Sequence, residues 1–424
     1  MSVPATSLSS DQSSHSVMSC PTCGQNHLIE ELDAGEKCNC TRCGNPLLQA
    51  QPAMLQKALA FTIASLVLFL PAQILPLLNF DFSGQWTENI VLTGAFVLWQ
   101  QGDALVGLAV IFIGFLAPLL FNLCLLGAVL GIQTKRYNRL ARKLWTLILE
   151  LGEWSMLDVY LIALGVSAIK LLGMGEVATR PGLWFVFGFV FTTALTTSVI
   201  RPAAIRNLIR QQSRPPDPEA GTDSLSCHHC GTIAGPDEHE CRACFSTLHE
   251  LDVSAMKSKI IALLVASVAF WIPANFLPVM TITMVGHQDI LTVLGGVEYL
   301  WHHGDILPAI IIFAFSMVIP ISKIITLFLL LWVINRPLNA SGQTRVYQIV
   351  QTLGRWSMVD ICVVSILAAL GQLGVAATVT AGPAALPFCI VVVLTIFAAN
   401  SFDTRVFWSH LGQEHAQPLA KQAL

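Results

Sequence analysis

The sequence is short of charge. Of its 424 residues only 12% are Asp, Glu, Lys or Arg, against roughly 25% in soluble globular chains. Hydrophobic residues make up 54%, and the mean hydropathy is +0.65. That balance excludes an ordinary water-soluble domain. The net charge of −3 offers no basic surplus, so no nucleic-acid partner is expected. Catalytic signatures are missing too. No G-x-x-x-x-G-K-[ST] loop is present, which excludes ATP hydrolysis by that route. No pair of histidines lies in the apolar runs to hold a haem, no HExxH occurs, and no nucleophile–base set stands out. The chain is read as a non-enzyme. Its first residues, MSVPATSLSSDQSSHS, lack the basic start and apolar stretch of a secretory signal. They are read as a disordered tail over 1–18.

What the sequence does have is long apolar runs, and runs of about 20 residues read as membrane spans. It also has a repeat. LPAQILP (70–76) returns as IPANFLP (272–278), GDAL (102–105) as GDIL (304–307), and Pro118 as Pro320. GEWSMLD (152–158) returns as GRWSMVD (354–360). Every pair is offset by 202 residues, as a duplication requires, whereas chance matches scatter. Four spans are expected in each half, roughly at 54–79, 104–131, 153–173 and 183–200, then 257–282, 306–334, 355–375 and 384–402. An even number per half makes the repeats parallel rather than inverted. The fold class is an all-α polytopic membrane protein of two tandem four-helix modules, each preceded by a small cysteine ribbon. The divisions are a tail (1–18), ribbon 1 (19–50), module 1 (51–209), a Pro-rich linker (210–225), ribbon 2 (226–250), module 2 (251–411) and a tail (412–424).

Pro71, Pro76, Pro273 and Pro278 are expected to kink the first span of each half, with neighbours satisfying the freed carbonyls. Asp103 and Asp305 stand where an N-cap belongs. Basic residues set the orientation. KRYNRLARK (135–143), Arg201, Arg206, Arg210, Arg214, Arg336 and Arg345 lie on one side, and the loops near 79–89 and 281–290 have almost none. Both termini and the ribbons are therefore expected in the cytoplasm. The opposite loops, rich in β-branched and aromatic residues, are expected to form short strands.

Nine of the twelve cysteines fall in the two polar segments. CPTCG (20–24) and CNCTRCG (38–44) form one group, and CHHCG (227–231) and CRAC (241–244) the other. Paired C-x-x-C knuckles at this separation suit a tetrahedral four-thiolate site for zinc, or for another thiophilic metal such as iron. A redox dithiol is the alternative, without the βαβ context such a motif needs. The ligands are Cys20, Cys23, Cys40 and Cys43, then Cys227, Cys230, Cys241 and Cys244. A complete four-sulfur set is closed, so the metal is structural. Cys38 is the spare thiol, and Cys124, Cys362 and Cys389 are packing residues.

Ionisable groups inside apolar spans mark function or structure. Asp158 and Asp360 end the repeated motif, and each either fixes its own bundle or serves a function. Lys323 lies in PISKIITLFLLLWVI, about 16 Å from the span's end at ~1.5 Å per residue, within reach of Asp360 if its stem extends toward the interface. In module 1 the matching position is Phe121, and Lys170 is too far along its helix from Asp158 to pair with it. A Lys323–Asp360 pair is therefore a candidate coupling element. Ser322, Ser357, Thr326, Thr395, Asn400 and Ser401 complete a candidate polar network, although Ser and Thr in spans often bond only their own helix.

Two cysteine ribbons, each followed by four spans, with LPxxxLP in the first, GD before the second and G-x-W-S-M-[LV]-D at the third, closely resemble the paraquat-inducible protein A family. That family includes the membrane component of LetAB-type lipid transport systems. The resemblance covers about residues 18–410. It implies structural zinc at the eight cysteines, and a functional polar site at Lys323 and Asp360 driven by the proton motive force. It also implies location in a bacterial inner membrane, a periplasmic MCE-domain tunnel protein as partner, and phospholipid as cargo. Lipid rests on the resemblance alone. The competing reading is a non-transporting membrane anchor or stress-linked scaffold, with a quinone-linked redox protein as a minor third.

Overall fold

A computed structural model describes residues 2–4, 16–29, 33, 35–49, 53–82, 85–134, 143–145, 147–148, 151–152, 154–155, 157–172, 176–200, 203–205, 208, 225–227, 229–235, 237–248, 252–284, 287–302, 304, 306–334, 340–354, 359–370 and 377–408. In the first ribbon β1 (Ser2–Pro4) runs parallel to β4 (Lys37–Asn39), which pairs antiparallel with β5 (Pro46–Gln49). Between them β2 (Ser16–Ser19) and β3 (Asn26–Ile29) form a hairpin. The stretch 1–18, expected to be disordered, thus contributes strands at both ends. The open edge of β4 supplies the backbone partners that β1 needs.

Module 1 then runs through α1 (Met54–Ile74), a hairpin of β6 (Leu78–Phe82) and β7 (Gln85–Asn89), a short α2 (Thr93–Gln100), and a long α3 (Ala104–Gln133). It ends with α4 (Leu157–Leu172), β8 (Glu176–Thr179) and α5 (Pro181–Val199). The second ribbon carries β9 (Leu225–Ser226) and β10 (Ile233–Ala234). Module 2 repeats the plan. It has α6 (Val253–Phe276), β11 (Met280–Met284), β12 (His287–Leu291) and α7 (Val293–His302). Next comes α8, made of Ile306–Phe313, a π turn at Ala314–Val318, and Ile319–Val333. After it follow α9 (Ala340–Gly354), α10 (Val359–Leu370), β13 (Ala377–Ala381) and α11 (Ala385–Asn400). The expected hairpins are present. Each gains a third antiparallel strand from later in its module, giving the orders β7-β6-β8 and β12-β11-β13.

Within each module the first helix packs along the fourth, α1 on α5 and α6 on α11. The proline-bearing end of the first helix leaves carbonyls open, and the start of the fourth helix fills them. The Gly182 amide donates to Pro76 O at 3.0 Å, and the Ala384 amide to Pro278 O at 3.0 Å. Only glycine fits there, since a Cβ on Gly182 would clash with Leu75 O and Pro76 O, and one on Gly382 with Pro278 O. Gly102 and Gly304 turn the chain into the second long helix at φ +100° and +89°. Asp103 occupies the N-cap position of α3, yet its side chain makes no capping bond, contrary to the reading of a cap; Asp305 lies outside the described residues.

The described helices of each module differ in length. Among the described residues five helices are long and apolar enough to cross a membrane: Met54–Ile74, Ala104–Gln133, Pro181–Val199, Val253–Phe276 and Ala309–Val333. Leu157–Ala168, Ile361–Leu370 and Ala385–Asn400 are apolar but shorter. At ~1.5 Å per residue the described part of α10 is about 18 Å long. The two third helices, α4 and α10, meet at the centre between modules, and residues 361–370 are all buried. There α2 crosses so closely that a Cβ on Gly94 would sit 2.2 Å from Ser365 O. The repeated motif therefore fills a junction. In module 2 its Gly354 ends the amphipathic α9, and its Val359 begins the buried α10.

Three apolar cores result. The largest joins both modules through α4 and α10. The second unites the first ribbon (Met18, Leu47, Leu48) with module 2 (Ile260, Leu327, Trp408). The third unites the second ribbon (Cys227, Ala243, Leu248) with module 1 (Met54, Phe121, Ile205). Each ribbon thus docks on the module that it does not precede.

Candidate functional sites: two four-thiol centres and a buried lysine

Each ribbon presents two knuckles built on one local rule. The amide of the first cysteine donates to the carbonyl five residues ahead, Cys20 to Gln25 O and Cys40 to Asn45 O, both at 2.8 Å. The fifth residue donates back to the first cysteine's carbonyl, as Gly24 does to Cys20 O at 2.8 Å. Closing that turn demands a left-handed residue. Gly24, Gly44 and Gly231 supply it at φ +73°, +74° and +73°, and Phe245 supplies it in the last knuckle at φ +59°.

The eight expected thiols converge as two sets, Cys20, Cys23, Cys40 and Cys43, and Cys227, Cys230, Cys241 and Cys244, each within 4.8 Å. Facing sulfurs are 3.5–3.6 Å apart. A tetrahedral ion with metal–sulfur bonds near 2.3 Å needs edges of about 3.8 Å, so the donor sets fit a structural zinc. Cys38 is buried and outside the first set. Crowded thiols share protons. Donation from Cys23 and Cys43 draws the Cys20 thiol down to about 7. Donation from Cys20, Cys23 and Cys43, with a smaller part from His27, holds Cys40 well below the ordinary thiol range. Cys23 and Cys43 are pushed up in turn, chiefly by Cys20. In the second ribbon Cys227 is lowered, first by Cys230, while Cys230 and Cys241 are raised by Cys227.

Sequence reading missed the groups behind the sulfurs. His27 is buried with Nε2 3.1 Å from Cys40 Sγ. In the second ribbon hydroxyls take that role: Ser246 Oγ lies 3.1 Å from both Cys227 and Cys244 Sγ, and Thr232 Oγ1 lies 3.1 Å from Cys230 Sγ. Thr232 and Ser246 stand two residues past a knuckle's second cysteine, and that spacing was a usable signal.

Lys323 is 3% exposed on the buried face of α8, with Ser316, Pro320, Ile324, Leu327 and Leu330. Its counterpart Phe121 is buried in apolar company. Thr395 is buried on α11 and donates to Val392 O at 2.9 Å. Ser322 and Ser401 are not drawn into a network, since they donate to Ile319 O (2.9 Å) and Phe397 O (2.8 Å) of their own helices. Thr326 lies half-buried on α8, and Asn400 is exposed at the end of α11. Asp158 is half-buried in the first turn of α4. Ser357 and the side chains of Asp360 and Lys170 lie outside the described residues, and the Lys323–Asp360 pair with them.

Ser316 carries no signal in the sequence. It is 1% exposed, and its hydroxyl has no hydrogen-bond partner among the described residues. It sits in the π turn of α8, four residues before Pro320. A proline removes the amide that would bond the carbonyl four residues back. In module 1 the same proline, Pro118, frees Gly114 O, which accepts from Gln73 Nε2 at 3.2 Å. The residue matching Gln73 is Asn275, one methylene shorter, and its amide donates instead to Trp271 O at 2.8 Å. Among the described residues, the π turn beside Lys323 lacks the pin that holds its twin.

Comparison with known proteins follows the same outline. The profile of the family described as Paraquat-inducible protein A matches residues 55–209 and 258–412, one match per module. "Lipophilic envelope-spanning tunnel protein A" of Escherichia coli (strain K12) is 31% identical over 402 residues, covering 92% of this chain and 90% of its own. "Intermembrane transport protein PqiA" of the same strain is 29% identical over 404 residues, covering 92% and 94%. "Probable intermembrane transport protein" of Haemophilus influenzae is 26% identical over 395 residues, covering 90% and 93%. No solved structure matches. Two profile matches in tandem over both modules, and relatives aligned along nine-tenths of the chain, establish that this protein belongs to the paraquat-inducible protein A family.

Proposed function

We propose that the chain is the inner-membrane component of an intermembrane phospholipid transport system, handing lipid to a periplasmic MCE-domain tunnel protein. The ribbon end faces the cytoplasm and the two three-stranded sheets face the periplasm, in line with the basic loops. Proton motive force drives the cycle through Lys323 and Asp360 of module 2. The observation that carries this reading is the burial of Lys323 at 3% exposure inside a span as apolar as Ala309–Val333. A lysine there costs several kcal/mol unless it is paired or neutralised, and module 1 folds without one. The names of the relatives, with their intermembrane transport and envelope-spanning tunnel, support the same reading. The zinc centres hold the ribbons together and take no part in transfer.

Lys323→Ala in the full chain, bound to its tunnel partner, tests it. Loss of envelope lipid function with assembly intact is expected. Unchanged function, or loss of assembly together with loss of both metals, would favour the anchor or scaffold reading.

A further inference from the structure

The cleft between the modules holds a groove of about 790 Å3. Leu108, Phe112 and Leu116 of α3 form one wall, and Ile390, Leu394 and Phe397 of α11 the other. Trp154 of the repeated motif plugs it, its ring 5.8 Å from the rings of both Phe112 and Phe397. The groove opens outward: Leu108 is 53% and Phe397 49% exposed. It lies along a helix long and apolar enough to cross a membrane, so the medium against it is hydrocarbon. Water does not fill an apolar slot, and an empty slot forfeits the dispersion contacts of its walls. The volume lies within the roughly 300–1,000 Å3 of small-molecule sites. A partner helix about 10 Å across would fill it in some two turns, too little to seat a span. An acyl chain is thinner and lies along it.

We propose that this groove binds an acyl chain of a bilayer phospholipid, with Ile361 as its inner wall. Ile361 also lines a second cavity of about 40 Å3, which Ser316 of the π turn lines as well. One residue therefore borders both a hydrocarbon slot and a water-sized void on the helix that carries Lys323. Ile361 directly follows Asp360 in α10. The assignment rests on the transport reading for its use and names the part of the lipid that this chain grips.

The test is the lipid retained by the full chain after detergent extraction, read by native mass spectrometry. Wild type is expected to carry phospholipid. Leu394→Trp, or Leu108→Trp from the other wall, fills the groove and lowers retained lipid about tenfold by removing apolar burial. Val67→Trp, on the outer face of α1 where Val67 is 64% exposed, leaves it unchanged. Two bound metals per chain and an unaltered melting temperature certify the fold of each variant. A wild type free of lipid, tryptophan variants that retain as much, or a second copy of the chain displaced in place of lipid would overturn the proposal. Lys323→Ala separates the two readings. It should keep the lipid and lose transport, and a Lys323→Ala protein that still transports sinks the coupling reading while the groove stands.

Discussion

Phe245 sits where the other three knuckles have glycine, at φ +59°. A left-handed backbone costs a residue with a Cβ roughly 1–2 kcal/mol. Phe245→Gly is expected to stabilise the second ribbon by about 1 kcal/mol, seen as slower metal loss to a chelator. His27 acts on the other centre. Groups bonded to a ligand commonly tune metal affinity 10–100-fold, so His27→Ala should weaken the first site about that much and leave the second alone, in a competition titration that resolves both. The raised thiols Cys23, Cys43, Cys230 and Cys241 hold protons that a metal must displace. Metal uptake therefore releases protons, and affinity falls as pH falls. Calorimetry in buffers of different ionisation enthalpy would show this, and a proton count of zero would contradict it.

At the scale of elements, the two long helices α3 and α8 carry the same π turn, yet among the described residues only the first is pinned. Gln73 holds the turn at Gly114, and Asn275 does not reach its counterpart. π turns gather at functional sites because they leave backbone groups free to move. Asn275→Gln is expected to supply the missing bond, so the variant should melt at the same temperature or higher while losing transport. Equal transport would show that the turn stays fixed through the cycle. A second polar clip joins the modules. Gln101 donates to Val379 O (3.1 Å) and accepts from the Ala381 amide (3.1 Å), extending the β13 edge with a side-chain amide. This contact was beyond sequence reading, since nothing local to Gln101 refers to a strand nearly 280 residues away.

At the scale of the molecule, the crossed ribbons decide how the halves move. The segment after α11 is gripped from both sides. Arg42 donates to Trp408 O at 3.1 Å and stacks over its ring at 5.1 Å. Thr404 donates to Thr22 O at 3.1 Å, and Arg405, held by Asp403, donates to Ser226 O at 3.1 Å. The ribbons also touch each other, with the Ser19 amide donating to Gly231 O at 2.9 Å. Removing metal from either ribbon should therefore loosen the far module first. Ending the chain after Asn400 is expected to free the first ribbon from module 2, which protease sensitivity at 30–36 would report. Equal protection with and without the segment would mean that the ribbons hold by themselves.

Several features were legible in the sequence because their causes are local. The 202-residue repeat, the long apolar helices, the short strands after each first helix and the two sets of four thiols follow from periodicity, residue type and spacing, and each survives into the structure. Burial in protein and burial in lipid ask for the same apolar residues, so the meeting of α4 with α10 between the modules is not legible in either helix alone. The crossed docking of ribbons, the lone hydroxyl of Ser316 and the groove closed by Trp154 were decided by tertiary structure. Each depends on surfaces from both repeats, and a duplication with one constant offset is silent about which copy a surface will face.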